Sequence, residues 1–209
     1  MKLDTLLSRG LEAMRLDLAP ATRAQLLAFL GLLEKWNRAY NLTAVREPEQ
    51  MVPKHLLDSL SVLPYVRGPR VLDIGTGAGL PGIPLALARP DLQFTLLDGN
   101  AKKIRFVRQA LHDLGLTNAE ALHSTIEHYQ PAQPFDCLVA RALAAIPDML
   151  PGSRHLLAPH GVFLAMKGVF PEEEIADVGS GFRVREVTRL VVPGIDAARH
   201  VVILEPVSQ

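Results

Sequence analysis

The sequence has one cysteine, few aromatic residues and no excess of charge of either sign. The single cysteine, Cys137, excludes an internal disulfide and a cysteine-rich zinc site. Aromatic residues make up 5% of the chain, and 22 Lys and Arg balance 22 Asp and Glu. Proteins that grip bare nucleic acid non-specifically are usually basic, so this neutrality argues against such binding. It leaves room for a local basic face, or for a substrate that is already a folded ribonucleoprotein.

Long apolar runs and targeting signals are also missing. No run could span a bilayer, and residues 1–5 do not begin a signal peptide, so we expect a cytoplasmic protein without membrane contact. The seven histidines show no metal-ligand spacing, so no metal site is predicted. Cys137 lies in the apolar run 135–140, which favours a buried structural thiol. A monomer is expected.

The 209 residues, 48% of them hydrophobic, suffice for one α/β domain with a small appendage. Apolar residues recur at helical spacing over residues 1–66, which predicts a helical N-terminal extension. Pro20 is expected to separate a first helix from a longer one that ends near residues 41–43. A third helix is predicted over 52–63.

Residues 67–209 show short apolar runs that alternate with amphipathic segments. This alternation predicts a mostly parallel sheet with helices on both faces. The last two strands have Pro193 and Gly194 between them instead of a helix, so we expect an antiparallel edge. The predicted strands are 70–74, 93–97, 118–122, 135–140, 161–166, 182–190 and 200–205, and the predicted helices are 81–89, 100–114, 125–129, 145–157 and 171–177.

The most informative segment is the glycine turn that follows the first predicted strand. An apolar run ends in Asp73, and three glycines follow at alternate positions, Gly75, Gly77 and Gly79. A second apolar run ends in Asp98, at the separation of about 20 residues that is typical of a nucleotide-binding βαβ unit. The pattern predicts a strand, a glycine turn, a helix and a second strand that together bind a cofactor.

The position of the third glycine indicates which cofactor. A dinucleotide-binding turn would need glycine at position 80, where this chain has Leu80. The pattern acid-x-G-x-G-x-G resembles motif I of the class I methyltransferases that use S-adenosyl-L-methionine (AdoMet), a cofactor without a pyrophosphate. Glycines let the backbone approach the adenosine and methionyl groups. Asp73 could bind the cofactor's ammonium group, directly or through water, and Asp98 could accept hydrogen bonds from the ribose.

Five motifs occur in the order found in one family. Together they resemble RsmG (GidB), the bacterial 16S rRNA guanine-N7 methyltransferases, from about residue 30 to about residue 200. The extended glycine-leucine-proline form of the turn, read with the upstream Asn-Leu-Thr, is the specific part of the match. The motifs are Trp36–Thr43, His55–Ser59, Asp73–Pro84, Ala140–Ala142 and Met166–Gly168.

The resemblance implies a Rossmann-like AdoMet-dependent enzyme that methylates N7 of one guanine in the 16S rRNA of the small ribosomal subunit. It implies cofactor contacts at Gly75, Leu80, Ile126, Glu127 and Arg141, next to the turn glycine Gly77 and the acids Asp73 and Asp98. Thr125 stands where the family usually has arginine, and Arg38 stands where lysine is common.

Methylation of guanine N7 needs no general base, because N7 carries a lone pair and no proton. The work reduces to aligning N7 with the methyl group and fixing the ring, for which Arg or Lys donors beside O6 are suited. Arg141 and Lys167 follow predicted strands, at the sheet edge where α/β proteins bind ligands, and are the base-positioning candidates. The RNA-binding candidates are Arg38, Asn41, Lys102, Lys167 and Arg199.

Three alternatives remain open at this point. An AdoMet-dependent enzyme could methylate a small molecule, and only the family motifs favour RNA. A nicotinamide-dependent oxidoreductase is opposed by Leu80 and the early third glycine. A ribosome-associated binding protein could keep the fold without catalysis.

Overall fold

A computed structural model of the chain describes residues 2–141 and 144–207. Its seven strands are β1 (Arg70–Ile74), β2 (Gln93–Asp98), β3 (Ala119–His123), β4 (Phe135–Arg141), β5 (Leu157–Lys167), β6 (Phe182–Arg189) and β7 (His200–Pro206). They form one sheet in the order β3-β2-β1-β4-β5-β7-β6. Strands β1 to β5 pair in parallel, as the alternating pattern predicts.

The antiparallel edge is confirmed, and its reversed strand is β7. β7 runs antiparallel to both of its neighbours, β5 and β6, so β6 forms the outer edge and is itself parallel to the rest. Lys167, at the end of β5, pairs with His200, at the start of β7. The reversal therefore brings Arg199 and His200 to the same sheet edge as the carboxyl ends of β1 to β5.

The helices flank this sheet and extend it at the N-terminus. They are α1 (Lys2–Ala13), α2 (Pro20–Tyr40), α3 (Pro48–Met51), α4 (Asp58–Leu60), α5 (Gly82–Ala88), α6 (Ala101–Asp113), α7 (Ile146–Ser153) and α8 (Glu172–Ala176). A π-helical segment, Val52–Leu57, joins α3 to α4. Short 3₁₀ turns cover Leu63–Tyr65 and Arg154–Leu156.

Three sequence predictions of local structure were wrong in detail. The helix predicted over 125–129 is a hydrogen-bonded turn, in which the Thr125 carbonyl accepts the amides of His128 and Tyr129, and it continues no further. The third helix begins at Pro48 rather than at 52, because a proline needs no amide partner in the first turn of a helix. β5 begins at Leu157, inside the segment predicted as helix 145–157.

The N-terminal helices share a core with one face of the sheet. On α2, Phe29 and Trp36 contact Phe106 of α6, with ring centroids 6.4 and 5.7 Å apart. Leu7 and Leu33 are fully buried in the same apolar cluster as residues of α5 and α6. The division at residues 66 and 67 stays a prediction, since the extension buries its apolar stripes against the α/β layer.

A second apolar cluster covers the other face of the sheet, where α7 packs. Cys137, on the central strand β4, is fully buried, and burial raises the pKa of its thiol to about 12. A thiol this far from ionisation is a poor nucleophile. The structural role predicted for it agrees with this environment.

Candidate active site

A cavity of about 1020 Å³ opens at the carboxyl edge of the parallel strands. It is lined by the glycine turn, by the segments that follow β2 to β5, by the start of β7 and by the N-terminal extension. Most of the site residues predicted from the sequence line it, namely Gly75, Gly77, Leu80, Asp98, Ile126, Glu127, Arg141, Lys167 and Arg199. Thr125 lines it as well.

The glycine turn forms one wall of the cavity and depends on its glycines. Gly75, Gly77 and Gly79 have φ angles of 65°, 59° and 78°, in the left-handed region that residues with a Cβ rarely adopt. A Cβ on Gly79 would also lie 2.5 Å from Cδ1 of Ile83. The Thr76 amide donates to the Leu97 carbonyl over 2.9 Å, which ties the turn to β2.

Asp98 connects the glycine turn to the start of α6. Its Oδ2 accepts the Gly77 amide at 2.8 Å, and its Oδ1 accepts the Asn100 amide at 2.8 Å. Each carboxylate oxygen has a further lone pair, so both oxygens can accept another hydrogen bond from a ligand in the cavity. The carboxylate is thus held in place with hydrogen-bonding capacity left toward the cavity, and its contact with a ribose stays a prediction.

Asp73 lies beneath the turn and does not line the cavity. Its side chain has no exposed surface, and its Oδ2 accepts the Thr76 hydroxyl at 2.6 Å and the Gly82 amide at 2.8 Å. Asp73 therefore braces the turn through Oδ2, while its Oδ1 has no hydrogen-bond partner among the described residues. A contact with the cofactor's ammonium group, directly or through water, stays a prediction. Burial raises the pKa of this carboxyl from 3.8 to about 6, although both hydrogen bonds favour the charged form.

Asp73→Asn should therefore change how stability depends on pH. An acid with a raised folded-state pKa makes the native state bind extra protons, so in the parent this group lowers stability as pH rises from about 4 to about 6. The variant lacks this loss, so its stability relative to the parent should rise by up to about 3 kcal/mol between pH 4 and pH 7. Urea titrations at both pH values measure this difference, and an equal difference at both would contradict the burial effect.

Another part of the cavity lining contains Asp58 of α4, which joins two arginines, one at the end of β4 and one just before β7. Its Oδ2 accepts Nη1 of Arg141 at 3.1 Å, and its Oδ1 accepts Nε of Arg199 at 2.9 Å. Asp58 is 5% exposed, and Nη1 of Arg141 also donates to the Lys54 carbonyl at 3.3 Å. The sequence placed Asp58 in the motif His55–Ser59. Nothing else in the sequence indicated that Asp58 joins two arginines.

His55 is a second cavity residue to which sequence reasoning gave no role in binding. Its Nε2 lies 2.9 Å from the Thr43 hydroxyl, whose oxygen also accepts the Val45 amide. Burial, followed by the charge of Arg141, lowers the pKa of His55 to about 4, so the ring is neutral at pH 7. The buried amide of Asn37 holds the same segment through the backbone of Thr43, which places Thr43 and Val45 along the cavity.

Lys167 lines the cavity but its ammonium group already has partners. Its Nζ lies 2.6 Å from Oε2 of Glu174 and donates to the Ala144 carbonyl at 2.8 Å. The same glutamate oxygen accepts the Ile146 amide. A contact between Lys167 and RNA or the target base stays a prediction. Such a contact requires the ion pair with Glu174 to break, or Nζ of Lys167 to bind the RNA while it remains paired.

The remaining RNA-binding candidates lie outside the cavity. Arg38 is exposed and pairs with Glu34 at 2.9 Å, and Asn41 ends α2 in a left-handed conformation, accepting Nη2 of Arg46. Lys102 is exposed on α6, whereas its neighbour Lys103 lines the cavity. The motif residue Ala142 lies outside the described residues.

Within the described ranges, no group of His, Cys, Asp and Glu could hold a metal ion. No helix of that part of the chain is long and apolar enough to cross a membrane.

The strand order, the reversed β7 and the glycine turn over a carboxyl-edge cavity define a class I AdoMet-dependent methyltransferase. Solved structures share this fold. TrmN from Thermus thermophilus matches with a TM-score of 0.60 and 22% identity over 82% of this chain and 53% of that one. The AdoMet-dependent methyltransferase SibL matches with a TM-score of 0.59 and 19% identity over 81% of this chain and 61% of that one.

Within this class, the chain belongs to the GidB family, whose description is rRNA small subunit methyltransferase G and whose model matches residues 22–202. Two relatives named ribosomal RNA small subunit methyltransferase G match nearly end to end. The one from Serratia proteamaculans is 48% identical over 98% of both chains. The one from Shewanella amazonensis is 50% identical over 93% of this chain and 94% of its own.

Proposed function

We propose that this protein transfers the methyl group of AdoMet to N7 of one guanine in the 16S rRNA of the small ribosomal subunit. One observation carries the proposal: a single cavity joins the glycine turn and Asp98 to the cluster of Asp58, Arg141 and Arg199. A methyl donor and a purine acceptor need such adjoining subsites. The names of the relatives support ribosomal RNA of the small subunit as the acceptor.

The residues at the glycine turn fit AdoMet. Asp98 keeps hydrogen-bonding capacity toward the cavity and suits the ribose, while Gly75 and Gly77 let a ligand approach the backbone. Leu80 and Ile126 supply apolar surface for the adenine. AdoMet itself supplies an electrophilic methyl group.

The acceptor end needs donors for the guanine edge but no base. Arg141 and Arg199 can donate to O6 or to a phosphate, and His55 is neutral there. A donor aimed at N7 would block the nucleophile, so these groups act by orienting the ring. We also propose that the enzyme is a cytoplasmic monomer that recognises the assembled subunit, since zero net charge disfavours free RNA.

Transfer of tritium from labelled AdoMet tests this function. The acceptors are small subunits from cells that lack the gene, free 16S rRNA and the small-molecule fraction of a cell extract. We expect label in the 7-methylguanosine of the subunits. Its amount should be at least about tenfold above that in free 16S rRNA, because a chain without net charge is expected to depend on the structure of the subunit. Label confined to small molecules, or to a nucleoside other than 7-methylguanosine, would contradict the proposal.

A further inference from the structure

We propose that Asp58 is the positioning residue of the acceptor subsite, which orients Arg141 and Arg199 toward the target guanine and offsets one of their two charges. The inference rests on the proposed function and assigns a role within it. Asp58 contacts the two arginines, and the arginines, not Asp58, contact the target guanine.

The cluster is assembled from three separate parts of the fold. Asp58 comes from the N-terminal extension, Arg141 ends β4, and Arg199 immediately precedes β7. Asp58 is separated from these partners by 83 and 141 residues, and each of its oxygens accepts one guanidinium. A carboxylate that is only 5% exposed needs such partners, because burying an unpaired charge is costly. Asp58 therefore fixes the distance between the two arginines.

The pairing leaves one terminal guanidinium nitrogen of each arginine unengaged among the described residues. Arg141 uses Nη1 for Asp58 and the Lys54 carbonyl, while Arg199 uses Nε for Asp58 and Nη1 for the Ala198 carbonyl. Between residues 2–141 and 144–207, no hydrogen bond engages Nη2 of either arginine. Both arginines line the cavity, so these groups can bind acceptor atoms such as guanine O6.

The charge of Asp58 also matters for the chemistry. As N7 bonds to the methyl group, the purine gains a positive charge, which neighbouring cations oppose. Two guanidinium groups and one carboxylate sum to a single positive charge. That charge holds the RNA while limiting the electrostatic opposition to methyl transfer.

Asp58→Asn tests the role because it removes the charge with almost no change in shape. We expect kcat to fall by about 10- to 100-fold, since misalignment and excess positive charge act on the transition state. KM for small subunits should not rise, and its dependence on salt should steepen by about one unit of log–log slope, because one more cation faces the RNA. A purely structural role would not steepen this slope.

Asp196→Asn is the matched control. Asp196 is exposed on the segment between β6 and β7, close to Arg199 in sequence, and has no hydrogen bond with the described residues. It undergoes the same chemical change without touching the arginine pair. We expect its kcat to stay within about twofold of the parent and its salt slope to change by much less than about one unit.

A double-mutant cycle separates positioning of the arginines from a general structural loss caused by Asp58→Asn. With Arg199→Gln as background, Asp58→Asn should lower kcat by less than about threefold, because one positioned arginine is already gone. Equal losses in both backgrounds, or an unchanged kcat in Asp58→Asn, would overturn the inference. Failure of the unsubstituted chain to form 7-methylguanosine would instead overturn the proposed function.

Discussion

Asp98→Ala is expected to weaken AdoMet binding by about 100-fold or more. Two hydrogen bonds from the ribose to a carboxylate contribute about 1.5–3 kcal/mol each, and every 1.4 kcal/mol is a factor of ten. The substitution also leaves the amides of Gly77 and Asn100 without their acceptor, so the turn keeps only the bond from the Thr76 amide to the Leu97 carbonyl as a tie to β2. Titration calorimetry with AdoMet measures the effect directly.

Two variants separate the ribose contact from disturbance of the turn. Asp98→Asn keeps one acceptor oxygen and should lose less affinity than the alanine variant. Asp91→Ala removes an exposed aspartate that pairs only with Arg89 among its described neighbours, and it should bind AdoMet like the parent. An unchanged dissociation constant for Asp98→Ala would remove the assigned contact.

Gly82→Ala is the second substitution with a large expected effect. The added Cβ would lie 2.6 Å from Oδ2 of Asp73 and 2.7 Å from Cδ2 of Leu96, both of which are buried. Overpacking of this kind costs about 1–3 kcal/mol of unfolding free energy. Because Asp73 braces the turn through Thr76 and Gly82, AdoMet binding should fall with it.

Gly31→Ala provides the matched control on α2. A Cβ at Gly31 would meet no atom within 4 Å, so alanine should stabilise the helix by about 0.5–1 kcal/mol. Urea denaturation of the two variants should therefore give shifts of opposite sign. A Gly82→Ala variant as stable as the parent would show that the turn accommodates the extra carbon.

The sheet and the cavity wall formed by the glycine turn were predictable, because their sequence signals are local. Each buried parallel strand appears as a short apolar run, and the turn requires glycines at fixed positions, so Asp98 falls beside Gly77. The burial of Asp73 was not predictable, because its two hydrogen-bond donors depend on how the turn folds back over β1. The turn at Thr125 was predicted as a helix because a short amphipathic segment has the same pattern in both structures.

The part of the cavity formed by Asp58, Arg141 and Arg199 could be predicted only in part, because tertiary contacts assemble it. Arg141 and Lys167 were expected at the strand ends, but the reversal of β7, which brings Arg199 beside them, depends on strand order. Nothing in the spacing of Asp58 indicates partners 83 and 141 residues away. Likewise, the pairing of Lys167 with Glu174 is set by the docking of α8.

Nucleoside mass spectrometry of 16S rRNA from cells measures the proposed methylation itself. The rRNA would be taken from cells that lack the gene and from the same cells complemented with the parent or with Asp98→Ala. We expect that 7-methylguanosine at one guanine disappears without the gene, returns with the parent and stays reduced with the variant. An unchanged 7-methylguanosine content of 16S rRNA in cells without the gene would contradict this expectation.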